Sequence, residues 1–217
     1  MLFDLDGTLV DTIELLLGSM RHAFTTCAIP APTDAQWIAG IGTPLRAQLG
    51  EFCTSEAEIE ALVAAYRAWQ GEHHDRLTRT YTGIDDLLAR LHGAGHPVGL
   101  VTSKADTLAV RALEWVGLMR FVDTVVGADS VTRHKPHPEP VHEALRRLDR
   151  APGEAFFVGD SPHDVRSGNA AGVRTVGVLW GPFTRETLEQ AEAWRIVETV
   201  EELERLLTGS NAGRSTA

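Results

Sequence analysis

The chain has 217 residues, of which 43% are hydrophobic and 23% are charged. These are ordinary globular values, and they exclude a disordered chain, a collagen and a coiled-coil rod. The formal net charge of −10 argues against nucleic-acid binding, which needs a basic surface. No apolar run reaches the roughly 18 residues of a membrane span. The two cysteines, Cys27 and Cys53, are too few for a disulfide scaffold.

The first residues carry neither a basic segment nor a cleavage site, which argues against a secreted precursor. We therefore expect a cytoplasmic protein, either a monomer or a homodimer, that binds no nucleic acid and no membrane. Lysine is rare in this chain: of the 20 basic residues, only Lys104 and Lys135 are lysines. Their surroundings, described below, favour a functional role for Lys135, whereas chance remains an equal alternative for Lys104.

Periodicity divides the chain into a helical part and an alternating part. Residues 1–5 predict a short apolar strand, and residues 13–79 predict helices interrupted by turns, without a strand. From about residue 81, apolar runs typical of buried strands alternate with helical patterns. The predicted strands are 97–102, 122–127, 155–160 and 174–178, and helices are predicted to begin near residues 84, 109, 141, 165 and 200.

This alternation predicts an α/β fold, a doubly wound parallel sheet with helices on both faces. We expect the common Rossmann-like strand order 3-2-1-4-5. The helical block follows the first strand and is predicted to form a small cap domain over the carboxyl edge of the sheet. The predicted division is a catalytic core of residues 1–12 and 80–207, a cap of residues 13–79, and a disordered tail of residues 208–217.

Residues with catalytic chemistry follow the ends of the predicted strands. Asp4, Thr102 and Asp160 end three of them, Lys135 lies in a loop after a fourth, and Asp164 follows closely behind Asp160. Ligands bind at this edge of doubly wound sheets, so we expect these side chains to converge. Clustered carboxylates repel unless a cation lies between them, and oxygen ligands without His or Cys suit Mg²⁺. Such carboxylates, with a lysine, a hydroxyl and Gly-rich turns, predict a phosphoryl-transfer site.

Four segments resemble the motifs of the haloacid dehalogenase-like superfamily. They are FDLDGTLVDT (3–12), VTSK (101–104), KPHPEP (135–140) and VGDSPHDV (158–165), in the superfamily's order and spacing. The helical insertion resembles the superfamily's C1-type cap, so the resemblance covers nearly the whole chain. Only three residues precede Asp4, which predicts a short first strand or a start codon placed late.

The resemblance implies a covalent mechanism. Asp4 would attack phosphorus and form an aspartyl-phosphate. Asp6 would protonate the leaving oxygen and later deprotonate the hydrolytic water. Thr102 and the backbone N–H of Ser103 would hold a phosphoryl oxygen, and Lys135 would offset the negative charge at the nucleophile.

The resemblance also implies that the cofactor is Mg²⁺. Asp4, the backbone carbonyl of Asp6, and Asp160 would bind the ion, and Asp164 would orient the metal site or its waters. An acid at the position of Asp164 is also a common helix N-cap, and this alternative stays open. Lys104 is a further candidate contact to the substrate.

The residues at particular positions within and around the motifs indicate which of the superfamily's activities this chain resembles. Dehalogenase relatives lack an acid at the position of Asp6, since a halide leaving group needs no proton. Phosphonate-hydrolysing relatives rely on a cap lysine, and residues 13–79 contain none. Mutase relatives usually carry Glu-Asp where this chain has Gly159-Asp160. A phosphohydrolase of a small phosphorylated metabolite remains, and VTSK with GIGTPLR (40–46) most resembles phosphoglycolate phosphatases and the related pyrophosphatases.

The cap is expected to choose the substrate, because it meets the part of the molecule beyond the phosphate. Arg46 is the candidate contact to a substrate carboxylate or second phosphate, with a solvent-exposed arginine as the alternative. We therefore predict a Mg²⁺-dependent phosphatase of phosphoglycolate-like esters. The enzymatic alternatives are a pyrophosphatase, a sugar-phosphate phosphatase or a phosphomutase. A receiver-like phospho-aspartate signalling module is the non-enzyme alternative, disfavoured because receivers are shorter and carry no helical cap.

Overall fold

The computed structural model describes residues 1–209. The strands in this part of the chain are β1 (Leu2–Phe3), β2 (Val10–Asp11), β3 (Arg79–Thr80), β4 (Gly99–Val101), β5 (Thr124–Val126), β6 (Phe156–Gly159), β7 (Arg174–Val178) and β8 (Arg195–Val197). The helices are α1 (Ile13–Thr26), α2 (Asp34–Ala39), α3 (Leu45–Gly50), α4 (Glu56–Leu77), α5 (Ile84–Gly93), α6 (Asp106–Trp115), α7 (Glu139–Leu148), α8 (Pro162–Ala170), α9 (Arg185–Gln190) and α10 (Val200–Thr208). Residues 210–217, most of the predicted tail, lie outside the described residues.

Six of the strands form one parallel sheet in the order β5-β4-β1-β6-β7-β8. The predicted α/β fold and the order of its first five strands are confirmed. The sixth strand, β8, was not predicted. It has only three residues, of which two are apolar, and this run is too short to indicate a strand. The first strand is also short: β1 contains only two residues.

Alternate residues of the strands pack on opposite faces of the sheet, as the pleat of a strand requires. Phe3, Leu100 and Val158 belong to an apolar cluster with α5, α6 and α10 on one face. Leu2 and Phe157 belong to a second cluster with α7 on the other face. The two faces are therefore both covered, which explains why the strand sequences are continuously apolar.

The helices α1 to α4, which we call the cap, have an apolar cluster of their own that includes Phe24, Trp37 and Tyr66. Its longest helix, α4, begins with a capping box in which the Ser55 side chain and the Glu58 side chain each accept a hydrogen bond from the other residue's backbone N–H. The helices α1 and α4 pack closely at Gly18, where a Cβ would lie only 2.2 Å from the Trp69 ring.

The chain passes from the sheet into the cap through β2 and returns through β3. These two strands pair as a small antiparallel ribbon. Val10 of β2 pairs with Thr80 of β3, and Asp11 pairs with Arg79. This ribbon was not predicted, because two-residue strands leave no periodic signal. It ties the entry and exit of the cap together beside the first strand's carboxyl end. No helix within residues 1–209 is both long enough and apolar enough to cross a membrane.

Candidate active site

The loops at the carboxyl ends of β1, β4 and β6 meet at one point of the sheet. Asp4 directly follows β1, and its backbone N–H donates to Val158 of the neighbouring β6 at 2.9 Å. Thr102 follows β4, and Asp160 follows β6. All three residues are at most 5% exposed. The strand order therefore brings together residues that are up to 156 positions apart in the chain.

Lys135 is the cation at the centre of this cluster. Its side chain is only 1% exposed, and its Nζ lies 2.8 Å from Asp4 Oδ1 and 2.5 Å from Asp164 Oδ1. A third donation, to the carbonyl oxygen of Val101, has a length of 3.4 Å. Burial alone would lower the pKa of Lys135, but Asp164 and Asp4 together raise it above its ordinary value, so the side chain is charged.

Asp160 is held by a hydroxyl and enclosed by glycines. Thr8 Oγ1 donates to Asp160 Oδ1 at 2.9 Å, whereas Asp160 Oδ2 is buried and has no hydrogen-bond partner among the described residues. A Cβ on Gly7, whose φ is +84°, would lie 2.6 Å from that same Oδ2, and a Cβ on Gly181 would lie 2.4 Å from the Asp160 Cβ. Only glycine at these two positions leaves space around the free oxygen.

Asp164 is not the N-cap that the sequence offered as an alternative, but it takes part in the cap of α8 and also contacts Lys135. It is the third residue of α8, where Ser161 is the N-cap, and Ser161 donates to its Oδ2 from the backbone N at 3.1 Å and from Oγ at 2.6 Å. Its other oxygen accepts from Lys135. The helix cap thus fixes a carboxylate that in turn fixes the lysine.

The carboxylates of this cluster carry more negative charge than Lys135 balances. Asp4, Asp160 and Asp164 each offer a ligand atom within 4.8 Å of the others. Burial and the neighbouring Asp164 raise the pKa of Asp4 to about 7, despite Lys135. Burial, Asp164 and Asp4 likewise raise the pKa of Asp160 well above its usual range. In the absence of a further cation, these groups are not all ionised at neutral pH.

A divalent cation fits this donor set. When all three carboxylates are ionised, the one ammonium leaves two negative charges unbalanced, and all candidate donors are oxygens, which hard cations prefer. The orphaned Asp160 Oδ2 is an available donor, and Asp4 Oδ2 also has no hydrogen bond within the described chain. Both oxygens of Asp164 are already engaged. Asp4 and Asp160 are therefore the side chains that could bind the ion directly, with Asp164 behind them.

Asp6 lies beside this cluster but has a different partner. Lys104 Nζ donates to both of its carboxylate oxygens, at 2.7 and 2.8 Å, and Thr12 Oγ1 donates to Oδ1 at 2.6 Å. The Lys104 and Asp6 side chains are 7% and 13% exposed. The Asp6 carboxylate is thus paired with Lys104 and does not belong to the acidic group of Asp4, Asp160 and Asp164. The backbone carbonyl of Asp6 as a metal ligand stays a prediction. The chain's only two lysines each bind a motif-one carboxylate.

The second motif also contacts the cap. The backbone N–H of Lys104 donates to Thr102 Oγ1 at 3.2 Å. Ser103 Oγ donates to the carbonyl oxygen of Gly42 at 2.6 Å. Gly42 has a φ of +103° and sits so close to α8 that a Cβ there would lie 3.0 Å from Ser161 Oγ. The turn at Gly42 in the cap therefore packs against the loops that carry Ser103 and Ser161.

A small cavity of about 60 Å³, the catalytic cavity, lies between the sheet and the cap. Its core wall consists of Asp4, Asp6, Thr102, Ser103 and Lys104. Its cap wall includes Thr43, Gln48, Tyr66, Arg67 and Gln70, together with apolar side chains of α1 to α3.

The structure does not bring Arg46, our predicted substrate contact, to the catalytic cavity. Its guanidinium donates to Glu60 at 2.8 Å and also to Glu56, both on α4, and its side chain is 49% exposed. It lines a neighbouring outer cavity of about 380 Å³. The glutamates lie 10 and 14 residues further along the chain, so their pairing with Arg46 depends on how α3 packs on α4.

The polar cap-wall residues of α4 were missed by the sequence reasoning. Gln70 is 5% exposed and lies one helical turn after the buried Tyr66, so helical spacing could have placed it on the inner face. Arg67, half-buried, lines both cavities. No local pattern distinguishes Arg67 from the chain's 17 other arginines.

Comparisons with known proteins agree with this geometry. A sequence model of the family described as "Haloacid dehalogenase-like hydrolase" matches residues 1–178. The chain is 35% identical over 210 residues to a pyrophosphatase, PpaX, of Bacillus cereus, covering 97% of this chain and 96% of the relative. A haloacid dehalogenase-like hydrolase structure from Streptococcus pneumoniae superposes with a TM-score of 0.82 at 25% identity, covering 95% of this chain and 96% of that one. A structure described as a predicted phosphoglycolate phosphatase, from Haemophilus somnus, gives 0.83 at 23% identity and covers 97% and 96%.

Proposed function

Since the chain belongs to the haloacid dehalogenase-like hydrolase family and is a phosphatase of that family, we propose that it hydrolyses a small phosphate compound through an aspartyl-phosphate on Asp4, with Mg²⁺ as cofactor. The observation that carries this proposal is the buried set of Asp4, Lys135, Asp160 and Asp164 beside Asp6. It supplies a nucleophile, a cation and metal-binding oxygens at one end of the sheet.

Inorganic pyrophosphate is the substrate that we propose first. The support is the 35% identity, over 97% of the chain, to a relative named pyrophosphatase. Phosphoglycolate is the second candidate, because VTSK and GIGTPLR also resemble phosphoglycolate phosphatases. The small volume of the catalytic cavity favours both over nucleotides, whose leaving portion is much larger.

In the first proposed step, an oxygen of Asp4 attacks phosphorus and the bond from phosphorus to the leaving oxygen breaks. Asp6 gives its proton to the leaving group. Lys135 stabilises the charge that Asp4 and the phosphoryl oxygens share, and Thr102 donates its hydroxyl hydrogen to one of those oxygens. In the second step, Asp6 takes a proton from water, which attacks phosphorus and releases phosphate from Asp4.

Mg²⁺, bound by Asp4 and Asp160 with Asp164 behind them, would supply the positive charge that lets Asp4 ionise and that draws charge from the phosphoryl oxygens. The protein's contribution is the rigid placement of the donors. The capping hydrogen bonds from Ser161 hold Asp164, Asp164 holds Lys135, and Lys135 holds Asp4. We also propose, as expected from the sequence, that the protein acts in the cytoplasm on a small metabolite.

The covalent step is tested by trapping it. Wild-type protein mixed with ³²P-labelled pyrophosphate and Mg²⁺ and quenched in acid within milliseconds should carry label, and the label should be lost at alkaline pH, as expected of an acyl phosphate. Asp4→Asn should carry none and should turn over at least about 1,000-fold more slowly, because an amide is neither a nucleophile nor a good ligand of a hard cation.

Asp11→Asn is the matched control, since Asp11 belongs to the same motif but is exposed on β2. It should keep wild-type labelling and turnover. Turnover of Asp4→Asn within tenfold of wild type, or full activity in excess chelator, would contradict the proposed mechanism.

A further inference from the structure

The cap wall of the catalytic cavity carries a single formal charge. Among the described residues that line this cavity, the charged side chains are Asp4, Asp6 and Lys104 of the core wall and Arg67 of the cap wall. The remaining cap-wall side chains are apolar or uncharged, such as Gln48 and Tyr66. The cap therefore offers the substrate one positive charge and no negative charge, in a protein whose net charge is −10.

Arg67 is held in place by a neutral partner. Its Nη1 donates to Gln70 Oε1 at 2.8 Å, and Gln70 is buried on the same helix. Within residues 1–209 this is the only hydrogen bond of the guanidinium, and it makes no ion pair there. The other cap arginines near carboxylates differ: Arg46 pairs with Glu56 and Glu60, and Arg21 pairs with Glu14 and Asp34.

A half-buried cation without a carboxylate partner is unfavourable in the empty protein. Burial lowers the pKa of Arg67, and Asp6 and Asp129 offset this only from beyond ion-pair distance. Most of the five N–H donors of the guanidinium remain unused, and the planar group is shaped to bind a carboxylate or phosphate through two of them. An anionic ligand in the cavity would supply the missing partner.

The position of Arg67 restricts what that ligand is. Arg67 lines the same small cavity as Asp4 and Thr102, where the phosphoryl group reacts. A second anion bound at Arg67 must therefore belong to the leaving portion of the substrate and lie within a few bonds of the phosphorus. A bulky or uncharged leaving portion would not provide it.

We propose that Arg67 binds a second anionic group on the substrate's leaving portion, and that Arg67, rather than Arg46, makes the enzyme selective for small substrates with two anions. This inference rests on the proposed function, because it assumes that the phosphoryl group lies at Asp4. The shared chemistry is an anion next to the reacting phosphoryl group; its sources are a second phosphate, as in pyrophosphate, or a carboxylate, as in phosphoglycolate.

The test measures binding without turnover. Wild type, in excess Mg²⁺, is titrated calorimetrically with three stable probes: methylenediphosphonate, which has two phosphonates; phosphonoacetate, which has one phosphonate and one carboxylate; and methylphosphonate, which has only one. The same titrations use Arg67→Gln, which keeps an amide near Gln70, and Arg67→Lys in case that variant does not fold. Arg21→Gln is the matched control, and Arg46→Ala tests the competing arginine.

We expect wild type to bind at least one two-anion probe about 10- to 100-fold more tightly than methylphosphonate, as a charge-assisted pair of hydrogen bonds would give. Arg67→Gln should lose this preference and keep its affinity for methylphosphonate. Arg67→Lys should keep part of the preference, because it retains the charge but not the planar fork. The probe that loses more affinity identifies the second anion as phosphate or carboxylate.

Kinetics separate this inference from the proposed substrate. In Arg67→Gln, kcat/KM for pyrophosphate or phosphoglycolate should fall about 10- to 100-fold, against less than threefold for p-nitrophenyl phosphate, whose leaving group carries no second anion. If wild type hydrolyses neither two-anion compound and yet binds the probes through Arg67, the proposed substrate fails while the inference stands. Equal binding of all three probes by wild type, or a selective loss in Arg46→Ala instead, overturns the inference.

Discussion

The two walls of the catalytic cavity hold their charges in opposite ways. On the core side, each lysine is already bound to a carboxylate: Lys135 to Asp4 and Lys104 to Asp6, in nearly complete burial. On the cap side, the guanidinium of Arg67 binds, within residues 1–209, only the neutral amide of Gln70. The core side lacks positive charge in the absence of a divalent cation, whereas the cap side lacks a negative partner.

This difference suggests that the core side carries out the reaction and that the cap side determines which substrate is bound. The core side meets the phosphoryl group, which every substrate of a phosphatase shares, and its ion pairs are fixed before the substrate arrives, which lowers the cost of stabilising charge in the transition state. The cap side meets the part that differs between substrates, and an unpaired cation there responds to whether that part is charged. Substitutions on the core side should therefore affect all substrates, and substitutions on the cap side only some.

After loss of the nucleophile itself, the largest expected effect is that of Lys135→Met. It leaves the buried carboxylates of Asp4 and Asp164 without their shared cation. Removal of one partner of a buried pair costs about 3–5 kcal/mol of unfolding free energy, and loss of a preorganised charge at the reacting group costs about 100- to 1,000-fold in kcat. Thermal or urea unfolding measures the loss of stability, and phosphate release measures the loss of kcat. The loss of kcat should be the same for all substrates.

Asp164→Asn in the Lys135→Met background provides the control. Removal of one of the unpaired carboxylates should recover part of the lost stability, while turnover should stay low because the lysine is still absent. Stability of Lys135→Met within 1 kcal/mol of wild type, or a loss confined to substrates with two anions, would contradict the assignment of Lys135 to the core side.

A smaller effect is expected of Lys104→Met. Lys104 binds both oxygens of Asp6, so its loss should let the proposed general acid turn away from the leaving oxygen. We expect kcat to fall about tenfold, a fraction of what general acid catalysis contributes, for an alkyl ester such as phosphoglycolate, whose leaving oxygen needs a proton. p-Nitrophenyl phosphate should lose less, because its phenolate leaves unprotonated.

Lys104→Arg separates this role of Lys104 from the substrate contact that the sequence predicted. An arginine can still donate to Asp6 and should restore part of kcat. If Lys104→Met instead raises KM equally for all substrates and leaves kcat unchanged, Lys104 binds substrate and does not position Asp6.

The core side could be predicted from the sequence to a larger extent than the cap side. Buried parallel strands are continuous apolar runs, and the residues that end them meet at one edge of the sheet, so Asp4, Thr102 and Asp160 could be placed together before the structure was known. The ribbon of β2 and β3 and the strand β8 could not, because two or three residues carry no periodicity. Arg67 could not either, because its lack of an ion pair depends on which side chains of other helices approach it.

The smallest predicted effect concerns stability, and it follows from the excess negative charge on the core side. Burial raises the pKa of Asp4 to about 7, with Asp164, Lys135, Asp6 and Asp160 as the charged groups around it. In the unfolded chain this carboxyl has its ordinary pKa near 3.8. Between these two values the folded protein binds more protons than the unfolded chain, so the contribution of Asp4 to the unfolding free energy falls as the pH rises.

Asp4→Asn isolates this contribution, because asparagine has no proton to lose and the other groups titrate in both proteins. In excess chelator, the Tm of Asp4→Asn minus that of wild type should therefore increase by a few degrees from pH 5 to pH 8, at ~2–4 °C for each kcal/mol. Excess Mg²⁺ should shrink or reverse the difference at pH 8, because a cation favours the ionised carboxylate and binds the wild type more tightly. A Tm difference that stays constant over this pH range would mean that Asp4 remains ionised beside Lys135 without a metal. The core side would then need no divalent cation to hold its charge, and its contrast with the cap side would lie in burial alone.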